Sequence, residues 1–157
     1  MLDKDSFRAA LGRFASGITV VTTRDAAGRD FGMTISAFCS VSLSPPLVLV
    51  SVAHNASMYQ ALSQAEHFAI NILADTQEPL SRRFAAKEAD RFDGIGFTRG
   101  RTGVALLDDV VTWIECRRTA MHEAGDHTLV IGETLAMATS DARPLLYYRG
   151  GYATLER

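Results

Sequence analysis

The residues of this sequence best suited to hold a ligand fall in one strand-like stretch, GMTISAFCSVSLSPPLVLVSV, which covers positions 32–52. Alternate side chains of an extended segment face the same way, so one side would carry Thr34, Ser36, Phe38, Ser40 and Ser42. Hydroxyls with a single aromatic ring make a poor core face but a reasonable wall for a polar, aromatic ligand, and Gly32 would allow that ligand close to the backbone. A solvent-facing strand carries the same residue types, so the pattern leaves both interpretations open.

Two positions further along the chain could complete such a site. Asn55 and Ser57 stand where a second helix is predicted to begin, and the unpaired N–H groups at a helix N-terminus can bind a phosphate. His127 follows Gly125 and Asp126 at a predicted turn and opens a strand. A histidine at the mouth of a strand can project into a cleft as a hydrogen-bond donor or an acid. Asp126 could serve only to stabilise the turn.

Other common active-site patterns do not occur in the sequence. There is no GxSxG elbow, no P-loop, no GxGxxG after a strand and no HxH or HExxH pair. The remaining histidines, His54, His67 and His122, are scattered, and we interpret them as ordinary surface or core residues. Cys39 and Cys116 form no CxxC pair and lie in apolar surroundings, which predicts buried free thiols. No metal site is expected.

The composition of the chain indicates a globular protein with one core. Its 157 residues suit a single domain, 1–157. The net charge of -2 argues against a nucleic-acid binder. A loose basic cluster, Arg82, Arg83, Lys87 and Arg91, fits either a solvated helix face or a local anion site. No signal peptide is evident, and no apolar run approaches the roughly 20 residues of a membrane span, so we expect a soluble cytoplasmic protein.

The elements that would position the first candidates are a short helix and three strands. Asp3 or Asp5 can cap the helix, which Gly17 would end and whose apolar face recurs at helical spacing. That face consists of Phe7, Ala10, Leu11 and Phe14. Strands are predicted over 18–23, 31–43 and 46–53. The polar turn between the first two contains Gly28, and the last two meet at a corner of Ser44, Pro45 and Pro46.

The second half of the chain alternates helices, strands and one long loop. Asn55 is predicted to cap a second helix, and Asp75 with Glu78 has the spacing of a capping box for a third, which would bury Leu80 and Phe84. Strands are predicted over 67–73, 110–123, 127–139 and two short segments near the end, with a loop over 88–103. About seven strands with short helices make the fold class mainly β, or β-rich α+β, arranged as a barrel or a sandwich.

Five blocks of the sequence resemble one known family. They are FRAALGRFASGITVVTT, GMTISAFCSVSLSPPLVLVSV, FAINILADTQEPLSRRFA, GDHTLVIGE and PLLYYRGGYATL, and their order matches that of the short-chain flavin reductases. These proteins are reductase components of two-component flavin-dependent monooxygenases. The resemblance runs from about position 7 to position 155. It implies an FMN-binding split barrel, which is a Greek-key antiparallel β-barrel with a few short flanking helices, and it implies a homodimer with flavin in a groove near the dimer interface.

The resemblance also implies roles for individual residues. The flavin ring would rest against the backbone of 32–38, and the segment 51–57 would meet the ribityl-phosphate end, with Phe84 bordering the flavin. The cofactor-binding candidates are therefore Gly32, Met33, Thr34, Ser36, Ala37, Phe38, Ser51, Asn55, Ser57 and Phe84. Arg82, Arg83 or Arg91 could neutralise the phosphate, and Arg91 is kept among the candidates. In the GDH block, His127, with Asp126, would contact the nicotinamide cofactor, and Tyr152 would close the nucleotide side.

The implied activity is transfer of a hydride from NADH, or alternatively NADPH, to FMN or FAD. Free reduced flavin would then diffuse to a partner monooxygenase. The cofactors carry this chemistry and the protein orients them, so His127 would orient the nicotinamide cofactor rather than abstract a proton. The alternatives are a split-barrel oxidase of the pyridoxamine-phosphate-oxidase type, a non-enzymatic flavin or haem carrier, and a β-barrel interaction domain without a ligand.

Overall fold

Antiparallel strands are the main elements of the computed structural model, which describes residues 1–156. The strands are β1 (Ser16–Gly17), β2 (Thr19–Arg24), β3 (Asp30–Ile35), β4 (Phe38–Leu43), β5 (Pro46–Ala53), β6 (His67–Ile72), β7 (Phe97–Arg99), β8 (Ala105–Leu107), β9 (Thr112–Ala124), β10 (His127–Thr139), β11 (Leu145–Tyr148) and β12 (Gly151–Thr154). The helices are α1 (Lys4–Leu11), α2 (Tyr59–Gln64) and α3 (Glu78–Ala85), and a 3-10 turn (Asp75–Gln77) precedes α3. None of the helices within residues 1–156 has the length and apolar character needed to cross a membrane.

One large sheet dominates this arrangement and confirms the mainly β prediction. Its seven strands lie in the order β3-β2-β6-β9-β10-β5-β4. All neighbouring pairs are antiparallel. Because β3 also contacts β5, the sheet curls towards itself. Two smaller sheets, β1-β11-β12 and β7-β8, stand beside it.

Two apolar clusters hold the strands and helices together. The first core cluster lies among β2, β5, β6, β9, β10 and α2 and includes Val50, Val52, Phe68 and Val130, all at most 1% exposed. The second core cluster packs α3 against the small sheets, and Phe84 lies in it. Burial of each large side chain stabilises the fold by about 1.5–3 kcal/mol. Along β5 burial alternates, so Val50 and Val52 face the first core cluster while the residues between them face away.

The N-terminal helix is capped as one of the two alternatives predicted. The Asp3 side chain accepts a hydrogen bond from the Ser6 N–H at 2.9 Å, so Asp3 is the cap. The helix ends at Leu11 rather than at Gly17, because residues 16–17 pair with β11 instead. Within this chain α1 buries none of its residues.

The single strand predicted over 31–43 is wrong. β3 ends at Ile35 and β4 begins at Phe38, and the Phe38 N–H donates to the Ser36 carbonyl at 2.9 Å across the break. A register shift between Ser40 and Ser42 interrupts β4 again. The shared face of hydroxyls therefore does not exist, because each interruption changes which way the following side chains point.

Three helix and loop boundaries also differ from prediction. The second helix is capped at Met58 and not at Asn55, because residues 54–57 form a turn. The capping box of Asp75 and Glu78 does not form. Instead the Gln77 side chain accepts from the Ala74 N–H at 2.9 Å, and α3 begins with Pro79 in its first turn. The loop predicted over 88–103 contains β7, which pairs with β8.

Candidate functional site

Pairing between β5 and β10 places the candidate histidine and one candidate serine on the same face of the sheet. His127 pairs with Ala53, and Leu129 pairs with Ser51. Because Val50 and Val52 face the first core cluster, Ser51 and His127 point away from it. The hairpin turn that sets this register was predicted correctly, and Gly125 takes a positive φ of 67° there.

His127 is held by the carboxylate beside it. The distance from His127 Nδ1 to Asp126 Oδ1 is 2.6 Å, and the two side chains are 44% and 95% exposed. The hydrogen bond from His127, and then its charge, hold the pKa of Asp126 below the usual value. Asp126 is therefore ionised at neutral pH and accepts a hydrogen bond from the Nδ1–H of His127. In the neutral imidazole this leaves Nε2 with a lone pair that can accept a hydrogen bond.

The break between β3 and β4 lies beside this face. Ser36 and Ala37 are both exposed, and the Ala37 carbonyl accepts from the Ser51 N–H at 3.0 Å. Met33 and Phe38 are half-buried against the first core cluster. The structure thus brings Ser36, Ala37, Phe38 and Ser51 together, in one strip that leads from the broken strand to β5.

The close approach predicted at Gly32 is made by the protein itself. A methyl group added to Gly32 would lie 2.6 Å from Phe84 Cε1 and 3.1 Å from Phe92 Cζ. Phe84 is fully buried in the second core cluster. The expectation that Phe84 borders a flavin stays a prediction, and in this structure the ring packs inside the protein against Gly32.

The other β3 candidate, Thr34, and the candidate Tyr152 are linked through α3. The Thr34 hydroxyl donates to the Ser81 carbonyl at 2.6 Å. The Ser81 hydroxyl lies 2.9 Å from the Tyr152 hydroxyl, and the Arg82 guanidinium stacks over the Tyr152 ring at 4.7 Å. Tyr152 thus fastens the hairpin of β11 and β12 to α3, and Thr34 fastens β3 to it.

The candidate arginines differ in how firmly the protein holds them. Arg82 donates to Glu78 at 2.7 Å, and Arg83 donates to the carbonyls of the loop 90–93. Both line a groove of about 630 Å³ beside α3, and none of the other cofactor candidates lines it. Arg91 donates to the Gly32 carbonyl at 2.8 Å, and its buried Nε has no hydrogen-bond partner. Arg91 is thus the arginine placed against β3.

The candidates Asn55 and Ser57 are exposed in the turn between β5 and α2. The expected phosphate site at a helix N-terminus does not form there, because α2 is short and starts after the turn. The turn is instead tied to the hairpin of β9 and β10, where the His54 N–H donates to the Asp126 carbonyl at 3.0 Å.

Sequence reasoning missed a polar cluster behind this turn. His54 Nε2 lies 2.9 Å from Glu123 Oε2 and 3.0 Å from Thr128 Oγ1. Thr128 Oγ1 lies 2.9 Å from Glu123 Oε1 and 3.1 Å from the Tyr59 hydroxyl. We refer to His54, Tyr59, Glu123 and Thr128 as the His54 cluster. The one sequence signal was the position of His54 next to the candidate turn, since Glu123 and Thr128 come from two strands that are far from His54 in the sequence.

The two cysteines differ from each other. Cys116 is fully buried, as predicted, and burial raises the pKa of its thiol to about 12. The prediction of a buried thiol is wrong for Cys39, which is exposed on the edge strand β4.

A comparison with known protein families decides how this geometry is interpreted. The model of the flavin reductase like domain matches residues 11–156. This chain belongs to that family. The match confirms the resemblance of the five sequence blocks.

Individual members of the flavin reductase family agree with this assignment. A probable flavin reductase of Rhizobium meliloti is 44% identical over 98% of this chain, and the match covers 50% of that protein. The stachydrine N-demethylase reductase subunit Stc3 of the same organism is 42% identical over 97% of this chain and 66% of its own length. The chain therefore spans one half to two thirds of these curated relatives.

A solved structure shows the same fold. The NADH:FAD oxidoreductase SgcE6 of Streptomyces globisporus C-1027, in complex with NAD and FAD fragments, superposes with a TM-score of 0.94 at 35% identity. The match covers 98% of this chain and 93% of that protein. The predicted split-barrel fold is thus confirmed.

Proposed function

We propose that this protein is an NAD(P)H:flavin oxidoreductase, which transfers a hydride from NADH to FMN or FAD and supplies free reduced flavin to a partner monooxygenase. The single observation that supports it best is the His127–Asp126 pair, which presents Nε2 on the same face of the sheet as Ser51 in a chain of the flavin reductase family. The reductase subunit Stc3 and the NADH:FAD oxidoreductase SgcE6 carry names that agree with it.

In this proposal His127 orients the nicotinamide. Its Nδ1–H donates to the Asp126 carboxylate. Nε2 is therefore free to accept a hydrogen bond from the carboxamide N–H or from a ribose hydroxyl of the nicotinamide cofactor. Such a contact fixes the position of one ring against the other, which is the main contribution that a protein makes to a reaction carried by its cofactors. Tyr152 and Asp126 complete the nucleotide side.

The flavin contacts proposed for this chain fit the residues present. Exposed backbone at Ser36 and Ala37, with Met33 and Phe38 half-buried beside it, matches a ring that is flat, apolar on its faces and polar at its edge. When bound, the flavin accepts the hydride. Ser51 and the turn of Asn55 and Ser57 would hold the ribityl-phosphate end. Arg91, which donates to the Gly32 carbonyl and whose buried Nε has no hydrogen-bond partner, stays the arginine proposed to neutralise the phosphate.

The test is the loss of NADH absorbance in the presence of the purified protein. FMN, FAD and riboflavin are added in turn, with a flavin-free control, and the series is repeated with NADPH. Rapid oxidation that requires added flavin is the expected result, and the relative rates rank both cofactors. A protein that keeps stoichiometric flavin through dialysis and consumes oxygen only with another substrate would indicate an oxidase. Folded protein without any NADH oxidation would contradict the proposal.

We also propose that the protein acts as a homodimer. The eight-residue helix α1 is shorter than a helix that is stable alone, yet it leaves Phe7 50% and Leu11 59% exposed, and Phe14 is 84% exposed just beyond it. A second copy would cover this face. Sedimentation should show a dimer that F14S weakens, whereas a matched change at exposed Leu155, L155S, should not. A monomer at all concentrations would refute the proposal.

Two further features belong to the same proposal. We treat the chain as one domain, 1–157, which predicts a single cooperative unfolding transition. The free cysteines are typical of a reducing compartment, and we therefore place the protein in the cytoplasm, which cell fractionation can test.

A further inference from the structure

The hydrogen bonds of the His54 cluster specify where its protons lie. Thr128 has one hydroxyl proton, and the Glu123 carboxylate, 2.9 Å away, can only accept it. The Tyr59 hydroxyl at 3.1 Å must then donate to Thr128 Oγ1. His54 Nε2 lies 2.9 Å from Glu123 Oε2 and 3.0 Å from Thr128 Oγ1. Because the only Thr128 hydroxyl proton points to Glu123, both of these oxygens can only accept a hydrogen bond from His54. His54 therefore carries a proton on Nε2.

This cluster lies directly behind the candidate nicotinamide contact. Thr128 follows His127 in β10 and is fully buried, so the two side chains point to opposite faces of the sheet. His54 follows Ala53, which is the partner of His127 in β5. Its N–H also donates to the Asp126 carbonyl. His54 follows Ala53 and Thr128 follows His127, so the hydrogen bonds of the His54 cluster fix the residue next to each member of this strand pair.

We propose that the His54 cluster is a positioning device that holds the backbone of His127, and with it the direction of the imidazole, against the turn 54–57. The proposal rests on the proposed role of His127. His54 itself does not touch the substrates. Its charged neighbours are Glu123, which it contacts, and Asp126, which contacts its backbone. Loss of the Nε2 donor leaves the turn tied to the hairpin only by the His54 N–H bond to the Asp126 carbonyl, and this weaker attachment lets His127 adopt several directions.

The variant H54F removes the donor and keeps an aromatic ring, so we expect the KM for NADH to rise about fivefold with kcat nearly unchanged. H54Q places an amide N–H close to the position of Nε2 and should restore the KM to within about twofold of the unmodified protein. The matched control is H67F. His67 Nε2 is 3.9 Å from Glu66 Oε1, and its partner on β9 is Arg117, six residues before Glu123. It should leave the KM unchanged.

If H54F does not fold, E123A replaces it. Glu123 is 68% exposed, so its removal leaves no hole in the core, yet it opens the same cluster. It should raise the KM as H54F does.

The deciding experiment combines H54F with H127A and measures the KM for NADH of both single variants and the double variant. If the cluster acts through His127, H54F raises the KM in the unmodified protein and has no further effect beside H127A. Three results would overturn this inference but not the role proposed for His127. They are an equal effect of H54F in both backgrounds, an H54Q variant as impaired as H54F, and no effect of H54F on the KM. If H127A leaves the KM unchanged, the role proposed for His127 fails, and the inference that depends on it fails too.

A second readout needs no cofactor. In ligand-free protein the imidazole NMR signals of His127 should show one environment, with the Nδ1 proton protected by Asp126. H54F should broaden or split these signals, while H54Q and H67F should not. Unchanged signals of His127 in H54F would overturn the inference whatever the kinetics show.

Discussion

Replacement of His127 by alanine is expected to raise the KM for NADH by about threefold to tenfold, with kcat within about threefold of the unmodified protein. The estimate corresponds to the loss of one ordinary hydrogen bond. The KM should change more than kcat because the imidazole orients the nicotinamide before and during hydride transfer and does not itself exchange a proton with the reacting atoms. Steady-state kinetics with saturating flavin measure both constants.

Variants of Asp126 refine the same prediction. D126N keeps an oxygen acceptor for the Nδ1 proton, so it should change the KM little, whereas D126A frees the ring and should reproduce part of the effect of H127A. The variant H67A is the matched control, since His67 lies at the start of β6, away from the face of β5 and β10. An unchanged KM with a much lower kcat would mean that His127 takes part in the chemical step instead.

The pKa of Asp126 gives an independent check of this pair. It lies below the usual value because His127 donates to the carboxylate, so the pair persists as pH falls and is lost only when the pH passes below the lowered pKa. In H127A that cause is removed and the pKa should return towards its usual value.

Features specified by neighbouring residues were predictable from the sequence. The hairpin of β9 and β10 follows from two alternating segments around Gly125 and Asp126, and it places His127 at a strand mouth. The Asp3 cap needs only the three residues that follow. Family resemblance then identified the fold over almost the whole chain, because five ordered blocks are far more specific than any one of them.

Features that depend on distant partners were not predictable in this way. The break at 36–37 exists because β4 turns to pair with β5 while β3 pairs with β2, and nothing local distinguishes it from a continuous strand. The His54 cluster draws its partners from α2, β9 and β10, so His54 looked like an ordinary histidine. Gly32 was predicted to let a ligand approach the backbone, whereas in this structure the Phe84 ring makes the close approach, and a glycine cannot indicate which group approaches.

The variant Gly32→Ala tests whether the space beside Gly32 is needed for the Phe84 ring or for a bound flavin. We expect it to lower the free energy of unfolding by about 2–3 kcal/mol, as overpacking of a core does, because the new methyl group would lie 2.6 Å from Phe84 Cε1. Neither side can easily retreat. Gly32 is paired with Thr22 within the sheet, and the Phe84 ring is fully buried against Phe92. Urea unfolding measures the loss.

The control and the rescue make the result specific. Gly17 has no atom within 4 Å of an added methyl group, so G17A should change the stability by less than about 0.5 kcal/mol. Replacing the opposing Phe84 ring with a smaller leucine side chain should relieve the clash. The double variant of G32A and F84L should therefore be more stable than the sum of the two single changes predicts, by about 1 kcal/mol or more. If G32A instead unfolds like the unmodified protein and only loses flavin affinity, the space at Gly32 serves the ligand. Packing against Phe84 would then not be the reason that this position requires glycine.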